Sequence, residues 1–134
     1  MTTTTLHATP ILLVEDDSVD AMTVRRALKE LGSTRTLVHQ INGEEALSYL
    51  RETQDDELPG LVLLDLNMPR MNGLEFLEHR QADERIRGIQ VVVLTTSTNA
   101  RDIERSYELG VANYLVKPID YGEFIDLIKD LDVY

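Results

Sequence analysis

The sequence predicts a doubly wound α/β domain, in which five parallel strands form one sheet and five helices cover both of its faces. Short runs rich in Ile, Leu and Val alternate along the chain with segments in which apolar residues recur at helical spacing. The apolar runs also lack polar alternation, as expected where helices cover both sides of a parallel sheet.

The first half of the chain is predicted to hold two strands, each followed by a helix. The first strand covers 11–15, and Ser18 is placed to cap the next helix, which Gly32 is placed to end. One face of that helix carries four apolar residues, namely Ala21, Val24, Leu28 and Leu31. The second strand, 36–40, leads through an Asn-Gly turn into a second helix that carries Ala46, Leu47 and Leu50.

The second half is predicted to hold three further strands, each followed by a helix. The strands cover 61–65, 91–95 and 112–116, and a polar loop at 55–59 precedes the first of them. The helices cover 74–83, 99–109 and a C-terminal segment that Asp120 is placed to cap.

Length and composition indicate a single domain of a cytoplasmic protein. The chain has 134 residues and a net charge of −11, which argues against nucleic-acid binding because phosphates attract a basic face. It contains no cysteine, so disulfide scaffolds and thiolate zinc sites are excluded. No apolar run approaches the roughly 18 residues of a membrane span. We predict a flexible Thr-rich tail at 1–9 and one domain at 10–134.

Acidic residues follow two of the most apolar predicted strands. Asp65 comes directly after the apolar run 61–64, and Glu15, Asp16 and Asp17 come directly after the apolar run 11–14. A buried, unpaired carboxylate is costly, so this placement calls for a reason. If the two strands are parallel neighbours, their carboxylates meet at one sheet edge, where they repel one another unless a cation lies among them. The pattern therefore predicts a divalent metal site and a reactive aspartate.

The chemistry of Mg²⁺ suits these oxygen-bearing residues, and Mn²⁺ is the alternative ion. Mg²⁺ prefers oxygen ligands in octahedral geometry and keeps several of its waters. We expect Asp16 and Asp65 to be direct ligands, Asn67 to offer its backbone carbonyl, and Glu15 to hold a metal-bound water.

Two other strand ends carry groups suited to phosphoryl chemistry. Working residues of an open α/β sheet gather beyond the carboxyl ends of the strands, where this sequence places Thr95 and Lys117. A positioned carboxylate is a competent nucleophile toward phosphorus, and Asp65 is the candidate. Thr95 is expected to donate a hydrogen bond to a phosphoryl oxygen, and Lys117 to pair first with Asp65 and then with the phosphoryl group. A carboxylate, a hydroxyl and an amine that come from different strand ends and meet at one sheet edge are a more specific signal of function than any single motif.

These residues closely resemble the response-regulator receiver domain of two-component signalling. The resemblance runs from about Pro10 to Leu131, and its matching segments are 11–17, 63–69 with Gly73 beyond, 93–95 and 114–118. It implies the flavodoxin-like, or CheY-like, fold with strand order 2-1-3-4-5. It also implies roles for six residues: Asp65 as phosphoacceptor, Glu15 and Asp16 as the acidic pair, Thr95 as switch hydroxyl, Tyr114 as switch aromatic and Lys117 as essential lysine.

The resemblance further implies partners and an output. The phosphoryl group comes from a histidine kinase or a phosphotransfer protein, and the receiver assists the transfer without a dedicated enzyme domain. The run 95–97, taken with 106–109, departs from the commonest pattern of the family and looks more like small regulators paired with bacterial phytochrome kinases. A phytochrome-type kinase and a downstream protein target are therefore the expected partners, with neither nucleic acid nor membrane among them.

The last helix has a wide apolar stripe that allows two interpretations. Its apolar residues are Tyr121, Phe124, Ile125, Leu127, Ile128 and Leu131, and Val133 and Tyr134 follow. The first interpretation is a core-facing helix with a loose tail. The second, which we favour, is a homodimer face at 99–131, built from the helix at 99–109, the fifth strand and the last helix.

Two other functions are weighed against a receiver. An aspartate-nucleophile phosphatase of the haloacid dehalogenase type wants a second aspartate two residues after the nucleophile, where this chain has Asn67. A flavodoxin-like cofactor binder needs hydroxyl and glycine donors in its first loop, whereas Glu15, Asp16 and Asp17 repel a cofactor phosphate. Turnover of small phosphate esters would identify a phosphatase, and a coloured purified protein would identify a cofactor binder.

Overall fold

The structure of the protein is a computed structural model that describes residues 9–134, apart from the side chain of Asp132. The strands are β1 Ile11–Val14, β2 Leu37–Gln40, β3 Leu61–Leu64, β4 Gln90–Thr95 and β5 Asn113–Val116. The helices are α1 Ser18–Leu31, α2 Gly43–Glu52, α3 Gly73–Gln81, α4 Ala100–Glu108 and α5 Tyr121–Lys129. Short 3₁₀ helices cover Asp55–Glu57 and Asp130–Val133. The tail predicted at 1–9 lies, except for Thr9, outside the described residues.

The five strands form one parallel sheet in the order β2-β1-β3-β4-β5, as predicted. Val14 at the end of β1 is level with Gln40 of β2 and Leu64 of β3, and Leu64 is level with Val93 of β4. Because the strands are parallel and in register, their carboxyl ends meet at one edge. The residues that follow β1 and β3 are therefore neighbours in space.

The helices pack on both faces of the sheet and bury alternate strand residues. Leu12 and Val14 of β1 belong to the core under α2 and α3, whereas Ile11 and Leu13 belong to the core under α1 and α5. This two-sided burial explains why β1 and β3 are apolar throughout. Among residues 9–134, none of the helices combines the length and apolar character needed to cross a membrane.

Most predicted element boundaries differ from the observed ones by one or two residues, and the predicted cap of α1 is wrong. Asp17, not Ser18, is the N-cap, and its carboxylate accepts hydrogen bonds from the backbone N–H groups of Val19 and Asp20. Asp17 has extended backbone angles, and an anion at a helix N-terminus is favoured by the helix dipole. Ser18 is instead the first helical residue.

Most of the apolar stripe of α5 faces the core, where α5 packs against α1. The buried members are Phe124, Ile125, Ile128 and Leu131. Tyr134, which the first interpretation assigned to a loose tail, is partly buried against the same core. The Tyr134 hydroxyl accepts a hydrogen bond from Asn113 Nδ2 at 3.2 Å, and its backbone oxygen accepts one from the Arg35 guanidinium at 3.2 Å.

Candidate functional site

The residues predicted to carry the chemistry meet at the carboxyl edge of the sheet. Backbone hydrogen bonds extend the strand pairing just past the strand ends. The Asp65 N–H donates to Val14 O at 3.0 Å, and the Lys117 N–H donates to Thr95 O at 2.7 Å. This pairing places Asp65 beside the end of β1 and Lys117 beside the end of β4.

Lys117 lies among three carboxylates. Its Nζ is 2.6 Å from Glu15 Oε1, 2.8 Å from Asp20 Oδ2 and 3.2 Å from Asp65 Oδ2. The side chain of Lys117 is only 5% exposed, so these contacts are shielded from solvent. The predicted proximity of Lys117 and Asp65 is therefore present in the structure.

Asp20 is the member of this group whose contact the sequence did not predict. Sequence patterns indicate only an acid in the first turn of α1, and Asp20 does occupy that turn. Its carboxylate nevertheless reaches Lys117 across 97 positions in sequence. The one available signal was that α1 begins at the same sheet edge as Glu15.

Burial and hydrogen bonding shift the pKa values of Glu15 and Lys117. Burial raises the pKa of the Glu15 carboxyl, and the hydrogen bond from Lys117 opposes that rise. Burial lowers the pKa of the Lys117 ammonium, but the hydrogen bonds to Asp20 and Glu15 and the nearby negative charges outweigh burial and leave that pKa above its ordinary value. Lys117 is consequently a permanent positive charge beside Asp65.

Glu15, Asp16 and Asp65 form a group of carboxylates suited to a divalent cation. One oxygen from each residue lies within 4.8 Å of the others. Glu15 and Asp65 are buried, while Asp16 is exposed and so opens the group to solvent. Hard divalent cations prefer such oxygen ligands, and a cation there offsets the mutual repulsion of the carboxylates. The donor set therefore fits a divalent metal.

A tight turn after β3 fixes the orientation of Asp65. The backbone N–H of Asn67 donates to Asp65 Oδ1 at 3.2 Å, so that Asp65 Oδ2 is the oxygen nearest Lys117. The predicted metal contact of the Asn67 carbonyl remains a prediction.

Thr95 is fully buried at the end of β4 and touches the loop that carries Asp65. Its Oγ1 accepts hydrogen bonds of 3.4 Å from Asn67 Nδ2 and from the backbone N–H of Ser97. Thr95 thus connects the loop after β3 with the loop before α4.

Tyr114 of β5 is attached to the same loop before α4. It is partly buried, and its hydroxyl donates to Ser97 O at 2.9 Å. Ser97 Oγ in turn donates to Asp102 Oδ2 of α4 at 2.6 Å. Burial raises the pKa of the Tyr114 hydroxyl, so it is a hydrogen-bond donor at neutral pH. Ser97 therefore links Thr95, Tyr114 and the first turn of α4.

Gly73 supports the turn that carries Asp65, and substitution there is expected to distort it. A Cβ at Gly73 would lie 2.6 Å from Asp65 O and 2.7 Å from Leu66 Cα, both backbone atoms that cannot rotate away. We expect Gly73→Ala to lower the free energy of unfolding by about 1–3 kcal/mol, measured by urea denaturation, because of this overpacking. Gly88→Ala is the control, since a Cβ there meets nothing within 4 Å. Equal stability of the two variants contradicts this expectation.

Comparison with known proteins identifies the family. The chain matches the response regulator receiver domain over residues 11–129. It belongs to this family. A receiver domain is a signalling module rather than an enzyme, so the match favours the receiver function over the phosphatase and cofactor-binding alternatives.

Two proteins are similar to this chain over most of its length. The probable methanogenesis regulatory protein FilR2 of Methanothrix harundinacea is 41% identical over 126 residues, which cover 92% of this chain and 81% of that protein. Response regulator Rcp1 of Synechocystis sp. is 35% identical over 131 residues, covering 92% of this chain and 86% of Rcp1.

Two solved receiver structures resemble this one closely. The phosphorylated cyanobacterial phytochrome response regulator RcpA superposes with a TM-score of 0.87 at 34% identity, over 93% of this chain and 91% of RcpA. The Mn(2+)-bound form of Rcp1 superposes with a TM-score of 0.84 at 34% identity, over 94% of this chain and 93% of that chain. A receiver with this fold thus binds a divalent cation, consistent with the carboxylate group described above.

Proposed function

We propose that Asp65 is the phosphoacceptor of this receiver, with Mg²⁺ or Mn²⁺ held by the adjoining carboxylates. The observation that carries the proposal is the position of Lys117 Nζ, 3.2 Å from Asp65 Oδ2 in a buried acidic site. The receiver domain is proposed to span 10–134. The phosphoryl donor is a histidine kinase or a phosphotransfer protein.

The transfer requires one bond to form and one to break. An oxygen of the Asp65 carboxylate attacks phosphorus, and the phosphorus–nitrogen bond of the donor phosphohistidine breaks. The electron pair of that bond goes to the imidazole nitrogen, which is protonated from solvent. Lys117 compensates charge on the transferring group, and Thr95 hydrogen-bonds one of its oxygens.

A divalent cation held by the adjoining carboxylates would neutralise charge on the phosphoryl oxygens. Asp16 and Asp65 are proposed as direct ligands, Asn67 as a ligand through its backbone carbonyl, and Glu15 as a ligand through water. Support comes from the oxygens of Glu15, Asp16 and Asp65, which lie within 4.8 Å of one another.

The output is proposed to be a shift between two arrangements of the loop before α4. When Thr95 turns its hydroxyl to a phosphoryl oxygen, its contact with the Ser97 N–H is perturbed. Ser97 also holds the Tyr114 hydroxyl and Asp102, so the change reaches the surface formed by β5 and α4. Phosphorylation thereby biases existing states rather than creating a new one. A downstream protein is proposed to read this surface.

A phytochrome-type kinase is the proposed donor of the phosphoryl group. RcpA is a cyanobacterial phytochrome response regulator, and its structure covers 93% of this chain with a TM-score of 0.87. A bacteriophytochrome response regulator, AtBRR, is 39% identical and covers 95% of this chain. The similarity to both supports a light-sensing kinase as partner.

Incubation with acetyl phosphate tests the proposed chemistry directly. With Mg²⁺ present, intact mass spectrometry is expected to show the gain of one phosphoryl group, which a chelator prevents. Borohydride reduction followed by peptide sequencing is expected to locate the modification at Asp65. No gain in mass, or modification at another residue, contradicts the proposal.

A homodimer through the 99–131 face is also proposed. Apolar side chains remain exposed on this face, namely Tyr107, Val116, Ile119 and Tyr121. We expect light scattering to report a dimer when a beryllium fluoride complex mimics the phosphoryl group. Ile119→Asp is expected to abolish dimerisation, whereas Ile41→Asp, an exposed site after β2, is expected to have no effect. A monomer with and without the mimic overturns this proposal.

A further inference from the structure

We propose that Asp20 is a positioning residue for phosphoryl transfer, because it anchors the Lys117 ammonium with one N–H directed at Asp65. This role depends on the proposed phosphoacceptor function of Asp65 and adds to it a residue outside the motifs that resemble the receiver family. Within residues 9–134, no hydrogen bond joins Asp20 to Asp16, Asp65 or Asn67.

The geometry matches the three donors of an ammonium group to three carboxylates. A lysine side chain has three N–H donors, and Nζ of Lys117 has carboxylate oxygens of Glu15, Asp20 and Asp65 at 2.6, 2.8 and 3.2 Å. The two shorter contacts go to residues that do not accept the phosphoryl group. They hold two N–H bonds and leave the third for Asp65 Oδ2.

A second anchor matters because a lysine stem is flexible. Lys117 reaches the site on four methylene groups, and a single contact to Glu15 leaves the ammonium free to rotate about that contact. Asp20 approaches from α1, whereas Glu15 follows β1, so the two anchors come from different elements. Their combined directions restrict the remaining N–H to the side on which Asp65 lies.

The position of Asp20 is itself well fixed. Its backbone N–H donates to the N-cap carboxylate of Asp17 at 3.1 Å, and its side chain is 26% exposed. Helix α1 packs against α5 and the sheet through Ala21, Val24 and Ala27. Asp20 is thus presented to Lys117 by a rigid element, as a positioning group requires.

The competing explanation is that Asp20 only stabilises the N-terminus of α1. Acidic residues in a first helical turn are favoured by the helix dipole whatever they contact. Glu44 offers a matched control, since it occupies the first turn of α2 and is exposed. Loss of Glu44 removes a comparable helix-terminal charge without removing a contact to Lys117.

The test compares phosphorylation rates of Asp20→Ala, Asp20→Asn and Glu44→Ala with the wild type, using acetyl phosphate and Mg²⁺. We expect Asp20→Ala to react about tenfold more slowly, because a misaligned group lowers the rate steeply. Asp20→Asn keeps an acceptor oxygen and is expected to stay within about threefold of the wild type. Glu44→Ala is expected to react at the wild-type rate.

A second measurement follows the Lys117 ammonium directly in the metal-free protein. The chain has three lysines, so ¹⁵N-labelling of lysine gives three side-chain signals, which a Lys117→Arg variant assigns. We expect the wild type to show a slowly exchanging Lys117 signal. That signal is expected to be lost in Asp20→Ala and kept in Asp20→Asn and Glu44→Ala, a pattern that a general effect on helix stability does not produce.

The results distinguish failure of the role of Asp20 from failure of the proposed function. Wild-type rate and an unchanged Lys117 signal in Asp20→Ala overturn the inference, as does equal slowing in Glu44→Ala. If the wild type itself gains no phosphoryl group, the proposed function fails and this role fails with it. If the wild type is phosphorylated and only the Asp20 result is negative, the proposed function stands.

Discussion

Asp65→Asn is expected to abolish phosphorylation by acetyl phosphate while leaving the fold intact. An amide has the shape of a carboxylate but lacks the nucleophilic charge, so no bond to phosphorus forms. The loss of one negative charge also reduces repulsion with Glu15, whose oxygen lies within 4.8 Å of an Asp65 oxygen. Intact mass spectrometry checks the loss of phosphorylation, and urea denaturation checks that the variant remains folded.

Asp126→Asn is the matched control for this variant. Asp126 is exposed on α5, so its replacement changes the net charge equally without touching the site. We expect this control to gain one phosphoryl group as the wild type does. Phosphorylation of Asp65→Asn, or failure of both variants, contradicts the assignment of Asp65 as phosphoacceptor.

Lys117→Met is expected to lose about 3 kcal/mol of unfolding free energy in the presence of a chelator. Methionine fills a similar volume, but it leaves Glu15, Asp20 and Asp65 without their common cation. Breaking a buried ion pair by removing one partner leaves uncompensated charge in a site of low dielectric. Phosphorylation is expected to slow as well, since Lys117 no longer compensates charge on the phosphoryl group.

Added Mg²⁺ is expected to restore part of the stability that Lys117→Met loses. A divalent cation brings positive charge to Glu15, Asp16 and Asp65, so it replaces some of what the ammonium provided. Urea denaturation with and without Mg²⁺ measures this effect. Lys29→Met in the last turn of α1 is the control, and it is expected to change stability little in either condition. Equal losses in the two variants contradict the expectation.

Much of the fold was predictable because its periodic patterns are strong. The apolar residues of β1, β3 and β4 are buried on both faces of the sheet, so these strands appear in the sequence as uninterrupted apolar runs. The cap of α1 was predicted wrongly because Asp17 and Ser18 are both good N-cap residues. Only the backbone conformation of Asp17 distinguishes them.

The site was predictable where residues directly follow strands. Glu15, Asp65 and Lys117 were placed correctly, because parallel strands in register bring the residues after their ends together. The contact between Asp20 and Lys117 was not predicted, because the two residues lie 97 positions apart in sequence. No local pattern in a sequence encodes such a contact.

The amino-acid sequence alone determined the order of strands and helices, the absence of cysteine chemistry and the set of carboxylates at the sheet edge. Periodicity and composition are local properties, so they can be read along a single chain. The tertiary structure decided that Lys117 is shared by Asp20 as well as Glu15 and Asp65, and that Tyr134 packs into the core. Those features depend on how α1 and α5 pack on the sheet, and packing joins residues that are distant in sequence.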